Sequence, residues 1–279
     1  MSNREVISLH VATRDDIRDL ITRRPLPGPG LPQIDPFLFL NHHGPQTYPA
    51  NNDGLPFGPH PHRGFETVTF ILAGSLAHHD SGSGASVVEA GGVQWMTAGS
   101  GLVHAELSPE RFRRSGGALE ILQLWINLPA RLKMTDPAYV PLAAAEMSKS
   151  EPGCGASMLT VSGTDDAPFR SLTDVMLAIV SIEPGSRAVL PAPPGRNVLF
   201  YTIDGEADIG KETVPEHTAA RLTDGDQVEC SSAGGCRILF GHAEPIGEPV
   251  VAHGPFVMNT EAEIAQAIHD YQAGRFGGL

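Results

Sequence analysis

Two pairs of residues in the first half of the sequence have the types and spacing of metal ligands. His60 and His62 are one residue apart in GPHPHRGFETV, and His104 and Glu106 are one residue apart in GLVHAE. In a β-strand, side chains two positions apart point to the same face. If the two strands lie side by side in a barrel, three imidazoles and one carboxylate converge. This set predicts a metal site with nitrogen and oxygen ligands.

The donor types limit the ions that fit. Three neutral imidazoles and a carboxylate suit Fe(II), Mn(II), Co(II), Ni(II) or Zn(II). An octahedral ion among these would keep positions open for a substrate, whereas a closed tetrahedral shell would make the metal structural. Glu66 stands at an even spacing from His62 and can face inward as well. The residues alone therefore leave Glu66 and Glu106 both open as the carboxylate ligand.

Other polar residues in this region have simpler explanations. His42 and His43 follow an apolar run, FLFLN, and are predicted to be polar residues at the end of a strand. His78, His79 and Asp80 are predicted to end another strand, with at most one side chain toward the cavity. The metal site is assigned without these residues.

The elements that position the pairs are predicted to be short strands. Glycines (31) and prolines (24) are spread along the 279 residues. Strand signals such as ETVTFILAG, SLAHHDS and VQWMTAG recur about every 8–12 residues with glycines between them. This rhythm is typical of an antiparallel sandwich or barrel, and the 41% hydrophobic content is enough for a core. The fold class is predicted to be all-β.

The strand rhythm occurs twice along the chain. We predict an N-terminal metal-binding domain over residues 1–130, a linker over 131–157 rich in Pro, Ala and Ser, and a second barrel over 158–279. The second barrel has neither a His-x-His nor a His-x-Glu pair. Its histidines are isolated: His217, His242 and His253. It is predicted to bind no metal of this kind.

The C-terminal tail, TEAEIAQAIHDYQAGRFGGL, predicts a helix. Thr260 and Glu263 have the spacing of a capping box, and Gly274 supplies a stop. One apolar stripe is formed by Ile264, Ala267, Ile268 and Tyr271. We expect this helix to cover a barrel.

Charge and composition disfavour several classes of partner and indicate where the protein is found. The net charge is −13, from 32 acidic and 19 basic residues, which disfavours binding to nucleic acid or an anionic membrane. No apolar stretch approaches the roughly 20 residues of a membrane span, and MSNREVISLH lacks the apolar core of a signal peptide. Three cysteines without Cys-x-x-Cys spacing suggest neither disulfides nor a zinc knuckle. We expect a cytoplasmic protein.

The two histidine segments also carry a family resemblance. Gly54, His60-Pro-His62 and Glu66 match the first cupin motif, and Gly91, Thr97-Ala-Gly99 and His104 match the second. The segments HPHRGFETVTFILAGSLAHHDS, VQWMTAGSGLVHAE and LQLWINLP resemble the pirin family within the cupin superfamily, as does HGPFVMNTEAEIAQAIHDYQAGRFG. The resemblance covers nearly the whole chain and implies two tandem cupin barrels with a C-terminal helix.

The resemblance also implies a ligand set. Pirins hold one divalent ion, iron, in the N-terminal barrel, at the residues matching His60, His62, His104 and Glu106. It favours Glu106 over Glu66 because the second motif of pirins ends in His-x-Glu, an acid that most cupins lack there. Glu66 then lies behind the ligands.

The activity implied by the resemblance is that of quercetin 2,3-dioxygenase. A flavonol would bind through its 3-hydroxyl, react with O₂ and release carbon monoxide and a depside, with Glu106 as ligand and catalytic base. The alternative function is an iron-dependent, redox-sensing regulator that binds a protein partner. An acidic chain suits a protein partner better than DNA.

Overall fold

The structure is a computed structural model, and it describes all residues of the chain except Ser83. The chain forms two compact units. The unit that contains the paired histidines, here the N-barrel unit, comprises Arg14–Arg23, Leu38–Ala145 and Ile246–Leu279. The other, the C-barrel unit, comprises Met1–Thr13, Arg24–Phe37 and Glu146–Pro245. The predicted fold class, two cupin barrels with a C-terminal helix, is confirmed.

Strands dominate the chain as far as Ala145. They are β1 (Val6–Val11), β2 (Thr13–Arg14), β3 (Thr22–Leu26), β4 (Phe37–Tyr48), β5 (Phe57–His62), β6 (Phe65–Ala73), β7 (Ser75–Asp80), β8 (Gly84–Glu89), β9 (Val93–Thr97), β10 (Leu102–Leu107), then helix α1 (Glu110–Ser115), β11 (Gly117–Asn127) and β12 (Ala138–Leu142). A single turn of 3₁₀ helix follows at Ala144–Glu146.

The rest of the chain repeats the pattern of short strands and ends in a helix. The strands are β13 (Ser148–Gly153), β14 (Ala156–Ser162), β15 (Met176–Ile182), β16 (Ser186–Pro191), β17 (Asn197–Gly205), β18 (Ala207–Ile209), β19 (Glu212–Val214), β20 (Thr218–Leu222), β21 (Gln227–Ser232), β22 (Cys236–Ala243), β23 (Val251–His253) and β24 (Phe256–Met258), and the helix is α2 (Glu261–Gln272).

The N-barrel unit is built on two antiparallel sheets. The larger has the order β12-β9-β6-β11-β4-β3-β2, and the smaller has the order β5-β10-β7-β8. Strand β6 lies inside the larger sheet, and its first seven residues are all buried, including the polar Glu66, Thr67 and Thr69. The smaller sheet brings β5 beside β10, so the two histidine segments are neighbours as predicted.

The C-barrel unit repeats this arrangement with a different filling. Its sheets have the orders β1-β20-β17-β22-β15-β14-β13 and β16-β21-β18-β19. The cluster of buried residues in this unit is formed by aliphatic, aromatic and cysteine side chains, including Leu190, Phe200, Cys230 and Phe240. Burial of this apolar surface is the main force that stabilises the unit.

The segment 131–157, predicted to be a linker, contains regular structure. Strand β12 lies in it and pairs with β9 from Ala138↔Thr97 to Leu142↔Val93. Strand β13 also lies there and pairs with β14. Composition did not reveal these strands because their hydrogen bonds connect backbone groups and need few apolar side chains.

The C-terminal helix α2 has the predicted start. The Thr260 side chain accepts the backbone N–H of Glu263, and the Glu263 carboxylate accepts the N–H of Thr260 at 2.9 Å. Ile264 and Ala267 are buried, and the helix belongs to the N-barrel unit. The short helix α1 was not predicted, because it has only six residues and one buried side chain, Phe112. Among the described residues, no helix is long and apolar enough to cross a membrane.

Candidate metal centre

Three of the four predicted ligands lie together. One ligand atom from each of His60, His62 and His104 falls within 4.8 Å of the others. The ring centroids are 4.3 Å apart for His60 and His104, 4.8 Å for His60 and His62, and 4.9 Å for His62 and His104. His60 pairs directly with His104 across β5 and β10, and the period of two in β5 brings His62 to the same face.

The three imidazoles lie in surroundings that keep them uncharged. Burial lowers the pKa of His60. Burial, followed by the nearby His60, lowers the pKa of His62 to about 3. Burial and the three facing histidines, His62, His60 and His78, hold the pKa of His104 well below its usual value. A neutral imidazole is the form that binds a metal ion, so near pH 7 all three are ready to act as ligands.

Backbone carbonyls fix the tautomers of two histidines. The Nδ1 atom of His60 lies 2.8 Å from the Gly58 carbonyl oxygen, and the Nδ1 atom of His62 lies 3.3 Å from the Pro255 carbonyl oxygen. A carbonyl oxygen can only accept, so the proton of each neutral ring lies on Nδ1. The Nε2 lone pair of both rings is then available to a metal ion.

The third ring, His104, fits a metal ion for a different reason. Its side chain is fully buried, and neither ring nitrogen meets a hydrogen-bond partner among the described residues. An unpartnered buried polar group is costly, and a bound ion would supply a partner for one of the two ring nitrogens. The donor set of three neutral imidazoles therefore fits a divalent ion of the borderline type.

Glu106 is not a member of the histidine group. The pairing of β5 with β10 shifts between His104 and Glu106, so that Glu106 pairs with Phe57. Its carboxylate instead accepts hydrogen bonds from three neutral side chains: Thr69 (3.3 Å), Gln123 (2.6 Å) and Gln94. Burial raises the pKa of Glu106 to about 7, and the bonds from Gln123, Thr69 and Gln94 oppose that rise.

The partners of Glu106 were not found from the sequence. Tyr139 on β12 donates its hydroxyl proton to Gln94 Oε1 at 3.1 Å, and Ser86 Oγ lies 2.6 Å from the same hydroxyl. The tyrosine bond orients the amide so that Nε2 faces Glu106. The sequence contained one signal for these partners: each of two apolar strands, VQWMT and LEILQLW, holds a single glutamine. A buried amide needs a hydrogen-bond partner.

Glu66 occupies a separate position. Its side chain is fully buried, and Oε1 accepts a hydrogen bond from Thr97 Oγ1 at 2.7 Å. Burial raises the pKa of Glu66 to about 7, opposed by hydrogen bonds from Thr97 and Trp95. Like Glu106, Glu66 is not a member of the histidine group.

His78, His79 and Asp80 end β7 as predicted, but the prediction that at most one of them faces inward was wrong, as was the prediction for His42 and His43. Both His78 and Asp80 are buried and joined by a 2.8 Å hydrogen bond, while His79 between them is exposed, as the alternation of a strand requires. His42 and His43 lie inside β4 and not at its end, and both are buried. His42 pairs with Glu120 at 3.1 Å, and His43 with the Thr22 hydroxyl at 2.9 Å.

Aromatic rings form an apolar wall beside the histidines. The ring centroids of Phe65 and Trp125 lie 5.0 and 5.4 Å from that of His62, and both contacts are edge-on. Trp125 also stacks on Phe39 at 4.6 Å. The wall covers His62, which is buried, whereas His60 is partly exposed.

A pair of cupin barrels, one of which gathers three neutral imidazoles, defines the chain as a bicupin with a candidate metal site. Comparison with known proteins agrees. Residues 19–126 match the Pirin family, and residues 177–277 match the Pirin C-terminal cupin domain. The chain therefore belongs to the pirin family.

Individual relatives extend over most of the chain. It is 37% identical to a pirin-like protein of Solanum lycopersicum over 92% of this chain and 87% of that protein. It is 34% identical to pirin of Homo sapiens over 99% of this chain and 96% of that protein. Among solved structures, a quercetin 2,3-dioxygenase from Acinetobacter baumannii is similar, with a TM-score of 0.90, 28% identity and 99% coverage of both chains.

Proposed function

We propose that this chain is a metal-dependent dioxygenase that cleaves flavonols with O₂, in the manner of quercetin 2,3-dioxygenase. The observation that carries the proposal is the convergence of three uncharged imidazoles, His60, His62 and His104, within 4.8 Å. The similarity to the Acinetobacter baumannii quercetin 2,3-dioxygenase supports the substrate class.

The proposed metal is Fe(II), with Mn(II), Co(II), Ni(II) and Zn(II) as alternatives, held by His60, His62 and His104 and with Glu106 as fourth ligand. A carboxylate has about four lone-pair sites, and the three donors to Glu106 use three of them. Oε2 accepts only the Gln123 bond of these three, so it is the oxygen with capacity for a further partner.

The chemistry divides between the ion and the protein. A bound divalent ion supplies Lewis acidity, which lowers the pKa of a hydroxyl that it coordinates. Glu106 is the proposed base that takes the proton of the flavonol 3-hydroxyl, and its three neutral hydrogen-bond donors hold the carboxylate in place. Phe65 and Trp125 keep water from the side of His62, which protects the reacting flavonol from hydrolysis. Overall, O₂ adds to the flavonol, the central ring opens, and carbon monoxide and a depside are released.

Reconstitution tests this proposal. Metal-free protein is loaded separately with each of the five ions, quercetin is added in air, and the loss of the flavonol absorption band is followed together with carbon monoxide release. We expect turnover with at least one ion, and we expect His62→Ala to abolish it. His79→Ala is the matched control, because this histidine is exposed on β7 outside the histidine group.

An absence of bleaching and of carbon monoxide with every ion would show that quercetin is not a substrate. Tight metal binding in that case would favour the alternative prediction, an iron-dependent regulator whose binding to a protein partner changes when the iron is oxidised. A pull-down with the reduced and the oxidised iron form distinguishes the regulator from an enzyme that acts on another aromatic substrate.

A further inference from the structure

The segment Ile246–Leu279, here called the tail, contacts the strand that carries His60 and His62. The Pro255 carbonyl oxygen lies 3.3 Å from Nδ1 of His62, although 193 residues separate the two in sequence. The backbone N–H of Arg63 donates to the same Pro255 carbonyl at 3.4 Å, and the N–H of Val257 donates to the Arg63 carbonyl at 3.0 Å. The tail therefore runs along the chain directly after the second ligand.

Two buried cations hold the tail in this position. The ammonium group of Lys133 donates to the carbonyl oxygens of Gly64 (2.9 Å) and Val257 (3.0 Å) and to Oδ1 of Asn127 (2.7 Å). These bonds use all three of its donors. Arg63 donates from Nε to the Ser100 carbonyl at 2.7 Å and from an Nη atom to Asp270 at 2.9 Å.

Asp270 connects α2 to Arg63, the residue that directly follows strand β5. Its carboxylate accepts from Arg63, from Gln266 at 2.8 Å and from Arg275 at 2.7 Å. Arg63 and Asp270 are both largely buried, with side-chain exposures of 6% and 9%. The Arg63 guanidinium also lies 4.6 Å from the centre of the Phe276 ring. The net contribution of a buried ion pair to stability is small, because the desolvation of both charges offsets their attraction.

The loops beside the ligands have glycine where the tail approaches most closely. A Cβ added to Gly64, which has a φ of +90°, would lie 2.0 Å from the Val257 carbonyl oxygen. A Cβ added to Gly101, with a φ of +125°, would lie 2.6 Å from the Phe276 ring. These distances are shorter than any real contact, so close packing of the tail depends on both glycines.

We propose that the tail is a positioning element of the metal centre: Asp270 and Arg63 hold the Pro255 carbonyl against His62, which keeps the proton of that ring on Nδ1 and its Nε2 free for the ion. Neither residue is a member of the histidine group. The inference rests on the part of the proposed function that assigns His62 as a ligand, and it does not depend on the reaction that follows.

The test combines a tautomer measurement with a metal titration. In metal-free protein, long-range ¹H–¹⁵N NMR of the imidazoles should show His62 with its proton on Nδ1. Asp270→Asn should give a mixture of the two tautomers. The same variant should weaken Ni(II) binding, measured by competition with a chelator, by about 10–100-fold, the usual effect of a lost partner behind a ligand.

Glu261→Gln is the matched control. It removes one carboxylate from an exposed position on the same helix, and should change neither the His62 tautomer nor the Ni(II) affinity. The proposal is overturned if wild-type His62 carries its proton on Nε2, a result that needs no variant to fold. It is also overturned if Asp270→Asn keeps both the tautomer and the affinity. Neither readout involves flavonol turnover. A protein without turnover can therefore still show the expected tautomer and Ni(II) affinity, and a negative result for these two readouts does not bear on the proposed reaction.

Discussion

The two barrels share a strand order but differ in what fills them. The smaller sheet runs β5-β10-β7-β8 in the N-barrel unit and β16-β21-β18-β19 in the C-barrel unit. His60 faces His104 across β5 and β10, whereas Ala188 faces Cys230 across β16 and β21. The pairs lie on corresponding strands, one able to bind a metal and the other part of an apolar core. The barrel supplies positions, and the residue types at those positions decide whether they form a site.

The difference has an energetic consequence. The C-barrel unit gains stability by burying apolar side chains at these positions. The N-barrel unit buries imidazoles and carboxylates, and neither nitrogen of His104 has a hydrogen-bond partner among the described residues. Such groups reduce stability until they are paired. The N-barrel unit should therefore depend on a bound ion, and the C-barrel unit should not.

The largest effect is expected from His104→Ala. Loss of this imidazole should weaken metal binding by more than about 100-fold, the upper end for changes to residues that only support a ligand. Metal content after dialysis against a chelator measures the effect, with His79→Ala as control. Without metal, the variant loses an unpartnered buried group but gains a cavity, so its unfolding midpoint should change less than its metal affinity. Normal metal content in His104→Ala would show that this imidazole does not account for the difference between the two barrels.

The reciprocal change in the C-barrel unit is Leu190→Ala. Leu190 is fully buried and faces Val228. We expect a loss of about 2–5 kcal/mol in the free energy of unfolding, because the truncation leaves a cavity. Circular dichroism during chemical unfolding measures the loss. Metal content per folded molecule should not change, and a parallel loss of metal would contradict the assignment of the site to the N-barrel unit alone.

Metal addition should stabilise the N-barrel unit. The two tryptophans of the chain, Trp95 and Trp125, both belong to this unit, so tryptophan fluorescence reports its unfolding. With the ion at 100 times its Kd, the free energy of unfolding should rise by about 2.7 kcal/mol. The shift should disappear in His104→Ala. If the fluorescence-detected unfolding transition does not shift when the ion is added, the folded N-barrel unit does not bind the ion.

The smallest effect is expected in acid. Hydrogen bonds from Arg63 and Gln266, together with the charge of Arg63, lower the pKa of Asp270 from 3.8 to about 2. A carboxylate with a lowered pKa contributes stability above its unfolded pKa and loses it as the pH falls toward the folded pKa. The stability difference between wild type and Asp270→Asn should be constant above about pH 5 and shrink between pH 3.8 and about 2. Unfolding curves at several pH values measure this, and a difference that does not change with pH would exclude the ionised pair as its source.

Much of the fold could be predicted from local patterns. The period of two placed His60 and His62 on one face, and the same rule applied to β10 added His104. The capping box predicted where α2 begins. The repeated strand rhythm predicted two barrels, and the family resemblance identified them as cupin barrels.

Other features depended on partners far away in sequence. The partners of Glu106 come from three different strands, β6, β9 and β11, and Tyr139 reaches them from a segment predicted to be a linker. The prediction of at most one inward side chain among His78, His79 and Asp80 was wrong, because both His78 and Asp80 are buried and bonded to each other. No spacing in the sequence relates Glu106 to the residues that donate to it.

The sequence by itself determined which residue types lie on which face of each strand, because that property depends only on neighbours two positions apart. It therefore placed His60 and His62 on one face, whereas the pairing of β5 with β10 that brings His104 to them belongs to the tertiary structure. Only the tertiary structure decided what surrounds the three-histidine site: a carbonyl 193 residues away lies 3.3 Å from Nδ1 of His62, and amides on other strands donate to Glu106. Those contacts depend on how strands and tail pack across the barrel, and packing is set by the whole unit and not by any local pattern.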